Sequence, residues 1–125
     1  MPFMQSQKFS ITRQLKSFTH AIAGIRALVL SEHNARIHLI ATIAVVILSF
    51  ALKISSAEWV AISIAASFVW ATEMFNTCIE KTMDFISKEK HPEIKTIKDL
   101  AAGAVLIASV TALILGLIIF IPKIL

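Results

Sequence analysis

The chain has 125 residues, enough for one domain, yet 57% of them are apolar and only 16% are charged, a balance far from that of a soluble globular protein. The formal charge of +4 comes from scattered basic residues that border apolar runs, which argues against a nucleic-acid-binding face and for the positive-inside rule. Cys78 stands alone, so an intrachain disulfide and a cysteine metal centre are excluded, and a helix-packing role is expected for it.

Residues 1–30 are mixed in character, without the charged, apolar and small-residue regions of a signal peptide, so no removable leader is expected. Leu15, Phe18, Ile22, Ile25 and Val29 recur at spacings of three, four, three and four. That is the period of an amphipathic helix lying along a membrane surface; a soluble helix packed on a partner protein has the same pattern.

Three apolar runs follow, at residues 37–52, 59–72 and 100–121. A hydrocarbon core of roughly 30 Å needs about 20 residues per helical crossing, so the first two helices must extend past their apolar parts, over Arg36 and over Glu73. Ser55 and Glu58 have capping-box spacing and start the second span, with Trp59 as an interfacial anchor. Residues 87–97 carry charges, His91 and Pro92 and are expected to form a short connection, and Pro122 is expected to close the last helix.

These signals predict an all-α membrane protein, a single unit over residues 1–125. It has a surface helix at about 7–31 and spans at about 34–52, 57–86 and 97–121. Lys8, Arg13, Lys16, Arg26 and Arg36 precede the first span, and Lys81, Lys88, Lys90, Lys95 and Lys98 lie near or between the second and third. Only Lys53 and Lys123 fall on the other side, which puts the N-terminus and the second loop in the cytoplasm.

The chemistry is concentrated on the second span. Glu73, Asn76, Glu80 and Asp84 follow at spacings of three, four and four, within an arc of roughly 80° on a helix. Ionisable residues at a membrane helix end are costly and ordinarily face a bundle interior or a polar cavity, so three carboxylates on one stripe call for a positive partner. A divalent cation bridging phosphates fits, because Mg²⁺ takes oxygen ligands and is commonly held by one or two carboxylates plus substrate. Lys98 adds a positive contact.

Each feature also has a plainer account. The stripe resembles the solvated face of a helix emerging into water, above all at Asp84. Asp99 lies three residues after Thr96, so it fits a capping box, and Glu32 fits a solvated junction between surface helix and span. No G-x-x-x-x-G-K-[ST], G-x-G-x-x-G, H-R-D or D-F-G pattern is present, and Gly24, Gly103 and Gly116 are the only glycines. Any nucleotide is therefore held without a glycine-rich cradle.

The run Glu73-Met74-Phe75-Asn76-Thr77-Cys78-Ile79-Glu80, followed by Asp84, Glu89, His91 and Lys98-Asp99, resembles the prokaryotic diacylglycerol kinases and undecaprenol kinases. The resemblance runs from the surface helix through the third span. It implies a homotrimer in the bacterial inner membrane that uses ATP and Mg²⁺ to phosphorylate a membrane lipid alcohol, with sites between neighbouring subunits. It further implies Glu73 as general base at the lipid hydroxyl, Glu32 and Glu80 as metal carboxylates, and Asn76 and Lys98 as phosphate-positioning residues. Asp84, Asp99, Glu89 and His91 then belong to the nucleotide site, Arg13 and His20 to surface-helix positions near nucleotide or lipid, and Arg36 to the lipid side. His20 departs from the tyrosine expected in the diacylglycerol-specific branch, while Asn34-x-Arg36-Ile37-His38 resembles the undecaprenol kinase branch.

Two other classes compete. A small multidrug or ion transporter also combines short bundles with membrane carboxylates, but its carboxylate belongs near the bilayer midplane. A purely structural membrane subunit leaves the carboxylate stripe unexplained.

Overall fold

The computed structural model describes residues 8–125; the expected start of the surface helix near residue 7 lies outside them. Among these residues the fold is all helical: α1 (Ile11–Ser31), α2 (His33–Ala51), α3 (Ser56–Ile86) and α4 (Pro92–Ile124). Three of the four, α2, α3 and α4, are long and apolar enough to cross a membrane, as the apolar runs predict.

The apolar face of α1 is open. Leu15, Phe18, Ile22 and Ile25 are all exposed, and Leu28 is the one buried residue of the helix, as suits a helix whose greasy side meets lipid. Glu32 is in an extended conformation and serves as C-cap of α1 and N-cap of α2, so the chain turns sharply at that residue. The Arg36 guanidinium locks the turn by donating through Nε to the Val29 carbonyl at 3.0 Å and through Nη2 to the Leu30 carbonyl. These are orphan acceptors at the end of a helix.

At the far end of α2 the chain reverses through Lys53, whose φ of 50° is left-handed, and enters α3 through the expected capping box. The Glu58 amide donates to Ser55 Oγ, and the Ser55 amide donates to Glu58 Oε1 at 2.9 Å. Ile54, Ile62, Ile119 and Phe120 form a buried cluster there with Trp59, Leu48 and Leu115 against it. Lys123 and Glu58, 3.1 Å apart, tie the end of α4 to the start of α3. The α3 and α4 helices form the main packed pair, and α2 lies on α3 more loosely.

Four local expectations are corrected. The connection is shorter than 87–97, because α4 is already helical at Pro92. Proline suits a first turn, where its missing N–H has no helical partner, and His91 Nδ1 accepts from the Glu93 amide to cap that turn. Thr96 and Asp99 therefore lie inside the helix and form no capping box. Thr96 donates back to the Pro92 carbonyl, and Asp99 pairs with Lys95. Pro122 does not close α4, which runs on to Ile124; so late in a helix its ring forfeits one backbone bond and leaves the Leu125 amide free to reach the Ile121 carbonyl. Cys78, expected to pack between helices, is exposed in the single chain.

Candidate active site

The packed face of α3 is marked by Ile62, Val69, Glu73 and Thr77, which are buried at spacings of seven, four and four. Glu73 thus occupies a position built for an apolar side chain, and it is only 2% exposed. Counted from Ser56 it lies about 26 Å along the helix at 1.5 Å per residue, near the far limit of a hydrocarbon core of roughly 30 Å. From there the stripe emerges by degrees: Asn76 and Glu80 are half-buried and Asp84 is exposed. A solvated stripe therefore does not describe Glu73, whereas Asp84 is exposed and paired with Lys98.

Around Glu73 the structure gathers Glu32 from the α1–α2 turn, His38 from α2 and Glu80 from the next two turns of α3, all near enough to act on it electrostatically. His38 Nε2 stands 3.6 Å from Glu73 Oε2, an ion-pair separation but beyond a hydrogen bond. Glu73 Oε2 and Asn76 Oδ1 are accordingly buried acceptors with no hydrogen-bond partner. Such orphans in a folded protein call for an explanation, of which an absent ion or ligand is a standard one.

Among the described residues no three His, Cys, Asp or Glu side chains come together closely enough to hold a metal by themselves. The oxygen donors present fit a hard cation that completes its shell from a bound phosphate. Among the described residues no metal cage is preformed.

Further along the same end, Lys98 of α4 donates to Asp84 Oδ1 at 2.6 Å and so bridges α4 to α3. Lys95 and Asp99 pair along α4. Glu89 and His91 are exposed in the α3–α4 connection, where the Glu89 amide donates to Ser87 Oγ. Arg13 and His20 are exposed on α1, about 28 and 18 Å along that helix from Glu32. Within one chain Glu73, Asn76 and Glu80 share a face of α3 with Glu32 in electrostatic range of Glu73, while Asp84, Lys98 and Asp99 lie further along α3 and α4 and Arg13 and His20 lie on α1.

The residue that sequence reasoning left without a role is His38. Its signal was available: an ionisable side chain within a span is a functional candidate by default, and it stands four positions before Thr42, another polar residue in that span. An apolar cavity of about 760 Å³ runs between α2, α3 and α4, from Trp59 and Phe120 at one end to His38 and Met74, the neighbour of Glu73, at the other. Glu73 itself does not line the cavity, which comes up to its neighbours His38 and Met74.

Comparison with known proteins bears on the family of the chain. A family model described as Prokaryotic diacylglycerol kinase matches residues 19–120. The chain is 41% identical over 113 residues to a protein of Bacillus subtilis (strain 168) named Undecaprenol kinase, covering 90% of this chain and 92% of that one. It is 31% identical over 112 residues to a Diacylglycerol kinase of Synechocystis sp., covering 89% of this chain and 64% of the relative. With a Diacylglycerol kinase of Escherichia coli (strain K12) it shares 28% over 111 residues, or 89% and 91% of the two chains.

Proposed function

We propose that this chain, which belongs to the prokaryotic diacylglycerol kinase family, is an ATP-dependent lipid kinase that phosphorylates a membrane lipid alcohol, undecaprenol or diacylglycerol. The observation that carries the reading is Glu73: a buried carboxylate with an unpartnered oxygen, at the level where a span meets its polar end. A lipid hydroxyl is confined to that level by its own tail, and the apolar cavity that ends at His38 and Met74 offers the tail a path beside it. The larger identity to the undecaprenol kinase makes undecaprenol the first acceptor to test.

Phosphoryl transfer needs positioning and charge neutralisation more than covalent help from the protein. Glu73 accepts the hydroxyl proton as the lipid oxygen bonds to the γ-phosphorus, while the bond from that phosphorus to the β–γ bridging oxygen breaks and ADP departs with the pair. Asn76 and Lys98 orient the phosphates, with Lys98 exchanging Asp84 for a phosphate oxygen. Asp84, Asp99, Glu89 and His91 line the nucleotide side, and Arg13 and His20 approach it from α1. Arg36, which fixes the α1–α2 turn, holds the lipid side in shape. Glu32 and Glu80 would hold Mg²⁺ jointly with the nucleotide, and the ion supplies neutralisation of phosphate charge.

The relatives compared above are named as lipid kinases, and the carboxylates collect at one end of the spans rather than at their middle. Both points leave the transporter reading without support. The working form is a homotrimer of the bacterial inner membrane with the Glu73 end in the cytoplasm. That arrangement rests on the family resemblance and on the bias of lysine and arginine between loops.

The test is transfer from γ-labelled ATP by the purified protein in mixed micelles containing Mg²⁺, with undecaprenol and diacylglycerol offered side by side. Labelled lipid is the expected outcome. No label on either alcohol from a folded oligomer would overturn the assignment.

A further inference from the structure

We propose that His38 is a positioning residue for Glu73, held in register by a Trp70–Thr42 hydrogen bond one turn deeper in the membrane. The inference rests on Glu73 acting as the base of the reaction proposed above. Two polar rungs connect α2 to α3. In the upper one His38 Nε2 faces Glu73 Oε2 at 3.6 Å. In the lower one Trp70 Nε1–H donates to Thr42 Oγ1 at 3.0 Å.

The rungs are mechanically joined, because the Thr42 hydroxyl donates to the His38 carbonyl at 2.7 Å. Thr42 thus accepts a hydrogen bond from α3 and donates one to the backbone that carries the imidazole. The registers agree: 38 and 42 are four apart on α2, 70 and 73 are three apart on α3, and both spacings stack side chains on one helix face.

The ladder matters because α2 packs only loosely on α3, so apolar contacts alone do little to fix the register of the two helices. In hydrocarbon, moreover, a tryptophan N–H or threonine hydroxyl without a partner is penalised, which gives each rung a directional preference that aliphatic contact lacks. Among the described residues His38 is the one basic side chain at ion-pair distance from Glu73. Glu32 and Glu80, the carboxylates that also act on Glu73, would push its carboxylate away from themselves. His38 supplies the opposing hold, so that Oε2 keeps one orientation toward the incoming hydroxyl. A misplacement of about 1 Å at such a centre costs on the order of a hundredfold in rate.

The experiment compares wild type, His38→Ala, His38→Gln and Thr42→Val in the micelle assay, with Glu73→Gln and the His38→Ala/Glu73→Gln double variant completing a cycle. His38→Ala is expected to lower kcat by about 10- to 100-fold while KM for ATP stays within about twofold. His38→Gln, which keeps an N–H donor of similar reach, recovers most of that loss. Thr42→Val, equal in shape but unable to accept from Trp70 or donate to the His38 carbonyl, loses about 3- to 10-fold in kcat. In the Glu73→Gln background the His38 substitution has no further effect on residual transfer, since a residue acting through Glu73 has nothing left to position.

Wild-type kcat in His38→Ala, failure of glutamine to rescue, or a full multiplicative loss in the double variant would each overturn the inference and leave the kinase assignment standing. If His38→Ala does not fold, the glutamine and valine variants decide by the same criteria. Absence of transfer by the wild type would overturn both readings together.

Discussion

Replacing Glu73 with glutamine removes the proton acceptor while keeping the side chain's length, polarity and approximate volume. The site favours a folded variant. Glu73 is 2% exposed and one of its oxygens is unpartnered, and a carboxylate within a span costs roughly 2.5–3.5 kcal/mol at the helix centre and less toward its end. A neutral amide relieves part of that cost, so the melting temperature is expected to hold or to rise by a few degrees. Loss of a general base costs about 10²- to 10⁴-fold, equivalent to about 2.7–5.4 kcal/mol of barrier at 1.36 kcal/mol per factor of ten. The assay is single-turnover transfer from γ-labelled ATP in mixed micelles, with affinity for a fluorescent nucleotide measured separately and expected to stay within about threefold. Glu73→Asp, which withdraws the carboxylate by one methylene, should fall between, at about a hundredfold loss. A glutamine variant that is folded, binds nucleotide normally and turns over within threefold of wild type would refute Glu73 as the base.

Lys98 and Asp84 form an ion pair between partly exposed side chains, a kind worth about 0.2–1 kcal/mol. Lys98→Met should therefore shift the melting temperature by only a degree or two yet weaken ATP binding at least tenfold in equilibrium titration. Asp84→Asn, which releases Lys98, should leave thermal stability within the same small range. Glu80→Gln should raise the Mg²⁺ concentration needed for half-maximal transfer, with partial rescue at high Mg²⁺; an unchanged Mg²⁺ dependence would place the metal elsewhere. Ser55→Ala breaks the capping box at the far end of α3 and should cost about 1 kcal/mol of stability in a detergent denaturation series, with KM for ATP unaltered.

Much of this was legible in the sequence because membrane helices obey few rules. A span must be apolar for long enough, must end on polar residues and must satisfy its own backbone; residues 100–121 met all three without ambiguity. The Ser55–Glu58 box was readable because it involves only local bonds. The same local rule failed at Thr96–Asp99, where Pro92 had already opened the helix upstream and claimed the Thr96 hydroxyl. Burial of Glu73 followed from its position after an apolar run, but the identity of its neighbours did not. Glu32 and Glu73 are far apart in sequence, and Glu32 comes within electrostatic range of Glu73 because the chain turns at that extended residue, where Arg36 bonds the end of α1. His38 and Trp70 were given no role for a related reason: each looks like one polar group in an apolar run until the register of α2 against α3 is known.

That register also explains how a nucleotide is handled without a glycine-rich loop. At 31 and 33 residues, α3 and α4 are about 46 and 50 Å long, against a hydrocarbon core of roughly 30 Å. Their Trp59–Phe120 end is pinned by the buried cluster and by the Glu58–Lys123 pair, so the excess length collects at the other end. There it carries Glu80, Asp84, Lys95, Lys98 and Asp99 out of the apolar layer as side chains on two rigid helices. A soluble P-loop cradles phosphate with backbone N–H groups in a tight turn. Here the backbone of α3 and α4 is committed to helix, so in the proposed reaction phosphate is met by Lys98, Asn76 and a cation held by carboxylates. Glu73 sits at the foot of that overhang, the one level that a tail-anchored hydroxyl and a water-borne triphosphate can both reach.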